Sequence, residues 1–182
     1  MTDPADIQLR TPTVADGPAL WQMAVDSATL DVNAPYAYLL WCRDFAASSV
    51  IAEVGGEPAG FVTGYRRPEQ PGTLMVWQVA VNDAHRGMGL AGRMLDHLAT
   101  ALVADGGTHL ETSITPDNEA SRRLFSAFAR RWDATLECSE LFGAGLFPES
   151  HLAEELFRIG PLRVDTPSWR QHGKLEITKR SR

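Results

Sequence analysis

Apolar and polar residues alternate from Ile7 to Arg10 with the two-residue period of a short strand. Helical spacing follows: Leu20, Met23 and Ala24 share one face, behind a Thr13–Asp16 pair spaced like a capping box. Pro35, favoured in a first helical turn, opens a second helix running to about Phe45. Val50–Val54 and Ala59–Tyr65 read as a hairpin turning at Gly55-Gly56, and Arg66 to Gly72 as a polar loop. Leu74–Val81 is apolar nearly throughout, as a central strand covered on both faces requires. Leu90, Met94, Leu95, Leu98 and Leu102 then give Gly89–Val103 a helical period, which Gly106-Gly107 breaks. Thr108–Thr115 alternates as a strand, Asn118–Arg130 is helical, and Asp133–Leu141 reads as a sixth strand. A Gly/Pro loop from Gly143 to Pro148 leads to a short last element ending near Ile159. Strands and helices in alternation predict an α/β (α+β) layer fold.

Composition narrows the class. The chain has 182 residues, 44% hydrophobic and 22% charged, which suits one globular domain. Cys42 and Cys138 form neither a CxxC pair nor a zinc spacing, so no disulfide scaffold and no metal site is expected. The acidic start has no apolar leader and no stretch reaches the roughly 18 apolar residues of a membrane span. A cytoplasmic location is the expectation. Charge divides unevenly: residues 163–182 carry six Lys/Arg against Asp165 and Glu176, or +4, so the total of −6 leaves −10 for residues 1–162. An acidic body disfavours nucleic acid and anionic membranes and suits a cationic ligand. Apolar residues are sparse beyond 162, so residues 1–162 read as one domain and 163–182 as a basic, flexible tail.

One segment carries chemistry. Strand Val76–Val81 runs through Asn82-Asp83-Ala84-His85 into Arg86-Gly87-Met88-Gly89-Leu90-Ala91, which opens a helix. Glycines at a strand-to-helix turn let the backbone approach a ligand, and the first N–H groups of the helix converge on an anion such as a pyrophosphate. The spacing Arg-x-x-Gly-x-Ala fits neither the Walker loop nor the dinucleotide fingerprint. It is instead similar to the pyrophosphate motif of the GNAT acetyltransferase superfamily, with Arg86, Gly89 and Ala91 in its fixed positions. The helix carrying Asn118 and Phe125 resembles that superfamily's next motif. The resemblance implies an acyl-CoA N-acyltransferase fold, a mixed central sheet of about six or seven strands flanked by helices. It also implies a central strand that splays from its neighbour, where Val79 and Val81 would bind the pantetheine arm of acetyl-CoA. The Val79 amide would stabilise the tetrahedral oxyanion. Phe125 stands where many relatives carry a tyrosine that protonates the leaving thiolate, and phenylalanine has no proton to give.

Longer strings resemble the L-2,4-diaminobutyrate acetyltransferases, a family acting in ectoine formation. They are Leu30–Leu40, Gly60–Tyr65, Val76–Val81 and Thr115–Ser121, within a similarity over about residues 7–162. The resemblance implies direct acetyl transfer in a ternary complex to the 4-amino group of diaminobutyrate, by a homodimer, with no metal. Residue chemistry fits such an acceptor, which needs carboxylates for its ammoniums, a donor for its carboxylate and an aromatic wall. Asp31, Tyr36, Tyr38, Arg43, Trp77, His151 and Glu154 are the substrate candidates; Asp31 also suits a cap and Trp77 a core aromatic. His151 and Glu154 would share a face if that segment is a helical turn. Glu111, on the strand after the cofactor helix, and Glu154 are candidate bases. A GNAT enzyme for another small amine, a protein N-terminal acetyltransferase and a non-catalytic acetyl-CoA module remain as alternatives.

Overall fold

The structure, a computed structural model, describes residues 7–27, 29–148 and 152–163; the basic segment from 164 onward and His151 lie outside the described residues. Seven strands form one sheet in the order β1-β2-β3-β4-β5-β7-β6. The strands are β1 (Ile7–Arg10), β2 (Val50–Val54), β3 (Glu57–Arg67), β4 (Gln70–Val81), β5 (His109–Ile114), β6 (Thr135–Phe142) and β7 (Glu154–Gly160). Helices α1 (Gly17–Asp26) and α2 (Pro35–Asp44) precede β2, while α3 (Leu90–Ala104) and α4 (Glu119–Arg131) flank β5. All neighbours are antiparallel except β4 and β5, which α3 joins as a parallel crossover. The mixed sheet flanked by helices is the architecture the sequence predicts.

Each face of the sheet has its own core. Val50, Ala52, Val62, Leu74, Val76, Leu110 and Ile114 pack under the apolar stripe of α3 and under Phe125 and Phe128 of α4. Ile51, Phe61 and Ala80 face the other way, against Leu20, Met23, Tyr38 and Cys42 of α1 and α2. Tyr38 and Cys42 are four apart and share one stripe, so Arg43 falls outside it.

Two expectations change. Arg66–Gly72 is not a loop: β3 reaches Arg67 and β4 starts at Gln70, so only Pro68 and Glu69 turn. Pairing of Arg66 with Leu74 and Arg67 with Gln70 supports that extension, and alternation on a polar hairpin tip gave little signal of it. The element ending near Ile159 is strand β7 and not a helical turn, so Glu154 and Glu155 point to opposite faces. The sixth strand, β6, lies at the sheet edge and is mostly exposed.

The entry to α1 is held electrostatically. Arg10 donates to both oxygens of Asp16, at 2.7 and 2.8 Å, and to Glu53 at 2.8 Å, while Asp16 also accepts from the Thr13 N–H at 2.7 Å. Hydrogen bonding from Arg10 holds the Asp16 carboxyl down at about 2, against its ordinary 3.8. A lowered folded-state value stabilises above the unfolded one and is lost as pH falls through the folded one. That contribution is at most about 2 kcal/mol, complete above about pH 4 and gone below about pH 2. Asp16→Asn should therefore lower stability at pH 7 by about 1–2 kcal/mol and flatten the stability curve over that interval. Thermal unfolding from pH 2 to 7 checks this, and parallel curves for the two proteins would contradict it.

Candidate active site

The centre of the sheet opens. β4 pairs with β5 only from Thr73 to Val76, against His109 to Thr112, although β4 continues to Val81 and β5 to Ile114. At the same point β4 carries one residue too many for β3: Thr63 faces Gln78 and Gly64 faces Val76, leaving Trp77 as a bulge. A Cβ on Gly64 would stand 2.8 Å from the Met75 carbonyl oxygen, so the close crossing at the bulge requires glycine there. The bulge reverses the alternation of β4. Leu74 and Val76 before it, and Val79 and Val81 after it, belong to the α3 face. Ala80 belongs to the α1–α2 core, and Gln78, two residues from it, shares that side.

Backbone direction follows from one hydrogen bond. The Asn82 N–H donates to the Ala59 carbonyl at 2.9 Å, toward β3. Alternation turns Ala80 the same way and aims the N–H and C=O groups of Val79 and Val81 at the side that β5 has left.

The open strand ends at the glycine turn. Gly87 (φ +82°) and Gly89 (φ +72°) adopt left-handed conformations, and a Cβ on either would meet nothing within 4 Å. Glycine is needed there for backbone conformation, in front of open space. Leu90 is buried with Val54 and Ala59, and Met88 packs beside it; these side chains seat the turn. The Met88 N–H donates to the His85 carbonyl at 3.4 Å, and the α3 hydrogen bonds begin only at Arg93 to Gly89, so the first N–H groups of the helix have no intrahelical acceptor. Ala91 begins α3 beside them. Arg86 is exposed and pairs with Asp83 at 2.8 Å. A cavity of about 940 Å³ runs from Gly89 along α3 past Gly92, Arg93 and Asp96, on the face opposite α2. Asn118 caps α4, its side chain accepting from the Ser121 N–H at 3.0 Å. Phe125 is 2% exposed and belongs to the core.

The other face gathers the acceptor candidates. Gln78 donates through Nε2 to the Asp31 carbonyl at 2.8 Å, pinning that loop over β4 beside the bulge. Trp77 stacks on Trp41 of α2 with ring centroids 6.0 Å apart, and Trp41 also meets Phe45 and Tyr65. Trp77 is 49% exposed, so it is not a core residue. Tyr38 is fully buried with its ring edge on Phe61, whereas Tyr36 is 66% exposed at the helix start. Glu154 opens β7 at the parted end of β5, on the face opposite Phe157 and Glu155. Glu155 pairs with Arg122 of α4.

Two candidates stand differently from their expected roles. Glu111 is 2% exposed and bridges Arg67 at 3.1 Å and Arg158 at 2.5 Å. Both carboxylate oxygens are occupied by guanidiniums, so this side chain ties β3, β5 and β7 together below the opening. Arg43 lies on the solvent side of α2, its guanidinium bonded to Asp44 at 2.7 Å, and is not brought to the cluster. Burial pushes the Cys42 thiol up to about 11, and the Cys138 thiol is raised for the same reason. Neither is a thiolate nucleophile near neutrality. Among the described residues no group of three or more His, Cys, Asp or Glu is placed to hold a metal, and no helix is long and apolar enough to cross a membrane. Sequence reasoning missed Trp41, Tyr65, Thr63 and Gln78. The signal for the last two was a polar residue inside each of two otherwise apolar strands.

A parted parallel pair running into a glycine turn at a helix start defines the class, and the model of the acetyltransferase (GNAT) family matches residues 18–129. The chain is 56% identical over 163 residues to the L-2,4-diaminobutyric acid acetyltransferase of Streptomyces avermitilis, covering 87% of this chain and 90% of that one. It is 55% identical to the enzyme of the same name from Streptomyces coelicolor, covering 87% and 95%. Among solved structures, diaminobutyrate acetyltransferase EctA from Paenibacillus lautus, in complex with its substrate L-2,4-diaminobutyric acid and coenzyme A, superposes with a TM-score of 0.82. Identity there is 38%, over 88% of this chain and 96% of that one. The chain belongs to the GNAT acetyltransferases and, within them, to the diaminobutyrate acetyltransferase family.

Arg86→Ala tests the glycine turn. Removing a charge-assisted phosphate contact costs about 1.5–3 kcal/mol, which should weaken coenzyme A binding by about ten- to a hundredfold in calorimetry. An unchanged affinity would contradict the assignment of Arg86 to the pyrophosphate.

Proposed function

We propose that this chain transfers the acetyl group of acetyl-CoA to the 4-amino group of L-2,4-diaminobutyrate, giving N4-acetyl-L-2,4-diaminobutyrate on the route to ectoine. The observation that carries the reading is the opening between β4 and β5: backbone groups of Val79 and Val81 face it, and it ends at the anion turn Arg86–Ala91. An extended pantetheine arm fits as the missing strand partner, with the pyrophosphate at the start of α3. The long cavity beside α3 leaves room for the rest of the nucleotide. The acceptor is supported by the names of the relatives at 56% and 55% identity and by the diaminobutyric acid bound in the Paenibacillus lautus enzyme.

Chemistry at this site needs no enzyme nucleophile. The acceptor amine, with an ordinary value near 10, must first lose a proton. Glu154 at the mouth of the opening, directly or through water, is our candidate to take it, since Glu111 is committed to two guanidiniums. The free amine then attacks the thioester carbon, and the Val79 N–H donates to the oxygen as negative charge develops. The nitrogen of the adduct gives up its second proton to water, and collapse then breaks the C–S bond and releases the CoA thiolate. Phe125 offers no proton, so water protonates the sulfur, or it leaves as the thiolate, whose thiol titrates near 8.5. Asp31 takes the ammonium that keeps its charge, while Trp77, Tyr36 and Tyr38 wall the short carbon stem. In this reading Asn118 lies on the cofactor side as the cap of α4. Residues 1–162 form the catalytic domain, residues 163–182 have no part in the reaction, and the enzyme works as a homodimer in the cytoplasm. These last features rest on charge, composition and family resemblance.

Asp31→Asn keeps size and removes charge, so kcat/KM for diaminobutyrate should fall about ten- to a hundredfold with the KM for acetyl-CoA nearly constant. Wild type should prefer diaminobutyrate over ornithine and lysine, because each added methylene displaces the amine by about an ångström from the attack geometry. A CoA-release assay over the three amino acids checks both points. Equal rates on all three would end the diaminobutyrate reading and leave the family assignment standing.

A further inference from the structure

Three buried side-chain oxygens on the acceptor face have no hydrogen-bond partner among the described residues: Tyr38 OH, Thr63 Oγ1 and Gln78 Oε1. Buried polar atoms are nearly always paired, so a cluster of exceptions calls for a missing partner. Thr63 and Gln78 face one another across β3 and β4, in the last matched pair before the bulge, and their side chains therefore leave the same face side by side. Both are buried, at 0% and 6% exposure. Phe61 and Ala80, each two residues away, place that face against α1 and α2, and Tyr38 touches Phe61 from above. The orientation of the Gln78 amide follows from its one bond: Nε2 is spent on the Asp31 carbonyl, and Oε1 is what remains.

We propose that Thr63 Oγ1 and Gln78 Oε1 form a neutral oxygen cradle for the reacting amine of the substrate. The proposal rests on the diaminobutyrate reading above and assigns the subsite at which the amine is held for attack. The Gln78 oxygen only accepts and the Thr63 hydroxyl can accept as well as donate, so a partner common to both must bring donors, which an amine has and a carboxylate lacks. Neutrality is the useful property. A carboxylate against the reacting nitrogen would stabilise its ammonium and oppose the loss of the proton that attack requires. Amide and hydroxyl oxygens accept the N–H groups of the free amine without that opposition. Asp31, on the loop that the same glutamine pins, is left for the ammonium that stays charged. Position agrees: Gln78 immediately precedes Val79, whose N–H faces the opening where the thioester lies.

The test uses full-length Thr63→Val, Thr63→Ala and Thr63→Ser. Valine keeps the shape and β-branching of threonine and removes only the hydroxyl, alanine removes both, and serine keeps the hydroxyl. Activity should follow the hydroxyl: kcat/KM for diaminobutyrate falls about tenfold or more in the valine and alanine variants and recovers most of its value in the serine variant. The KM for acetyl-CoA should stay within about twofold of wild type in all three, and the Tm of the valine variant should not fall, since an unpaired buried hydroxyl has been removed. Valine and serine variants of equal activity, or activities that follow Tm instead, would overturn the cradle and leave the function intact. A wild type that acetylates no diamine would remove the function reading and the cradle with it.

Discussion

β4 has to satisfy two neighbours whose geometry it cannot match together. It pairs antiparallel with β3 along almost its whole length, but one surplus residue at Trp77 bends it, and its parallel pairing with β5 stops at Val76. A β-bulge sharpens the local twist of the strand that carries it. Once β4 turns with β3, β5 continues with β7, and the sheet parts between them. Backbone groups left without a strand partner at this opening must be met by water or by an extended ligand, and Val79 and Val81 are both partly exposed. The rest of the site is arranged around it. The glycine turn lies at one end, the acceptor side chains on one face, and α3 with its long cavity on the other.

The same extra residue also changes which side chains meet the substrate. Without it Gln78 would fall on the α3 face and Ala80 with it; the reversal of alternation brings Gln78 to the α1–α2 face, where Trp77 already stands. Gln78 then holds the Asp31 loop, and Trp77 stacks on Trp41. One insertion therefore coincides with the opening and supplies the anchor for the Asp31 loop. Ionic chemistry is kept to the rim. Glu111, the one fully committed carboxylate beneath the opening, is neutralised by Arg67 and Arg158. In the proposed cradle, neutral oxygens rather than carboxylates hold the reacting amine, which suits a step that begins by removing a proton from an ammonium.

Much of this was legible in the chain. Helical periods placed α2, α3 and α4 within about a residue at each end and marked the buried face of α1, the double glycine marked its hairpin, and Arg86-x-x-Gly89-x-Ala91 located the anion turn. Local pattern carried these because each is set by a few neighbours in sequence. Less was readable where a contact spans the fold. Trp77 looked like a core aromatic on an apolar strand, because a bulge is a register between two strands and leaves no periodic trace in one of them. Arg43 seemed a carboxylate donor, but its direction depends on which stripe of α2 is buried, and Tyr38 with Cys42 decides that. Glu154 sat in a segment whose few residues suit a helical turn or a strand, and pairing with β5 and β6 selects the strand.

The parting of β4 and β5 is the claim on which the account stands, and hydrogen exchange at single amides reads it directly. In the protein without ligand, Ala80 and Asn82 should be protected by β3, while Val79 and Val81 on the same strand exchange much faster. Saturating coenzyme A should slow Val79 and Val81 and leave Ala80 as it was, the pantetheine arm having taken the place of the missing strand. Four equally protected amides without ligand, or protection on binding that ignores the alternation, would show that β4 is paired on both sides and that the site is not built on an open sheet.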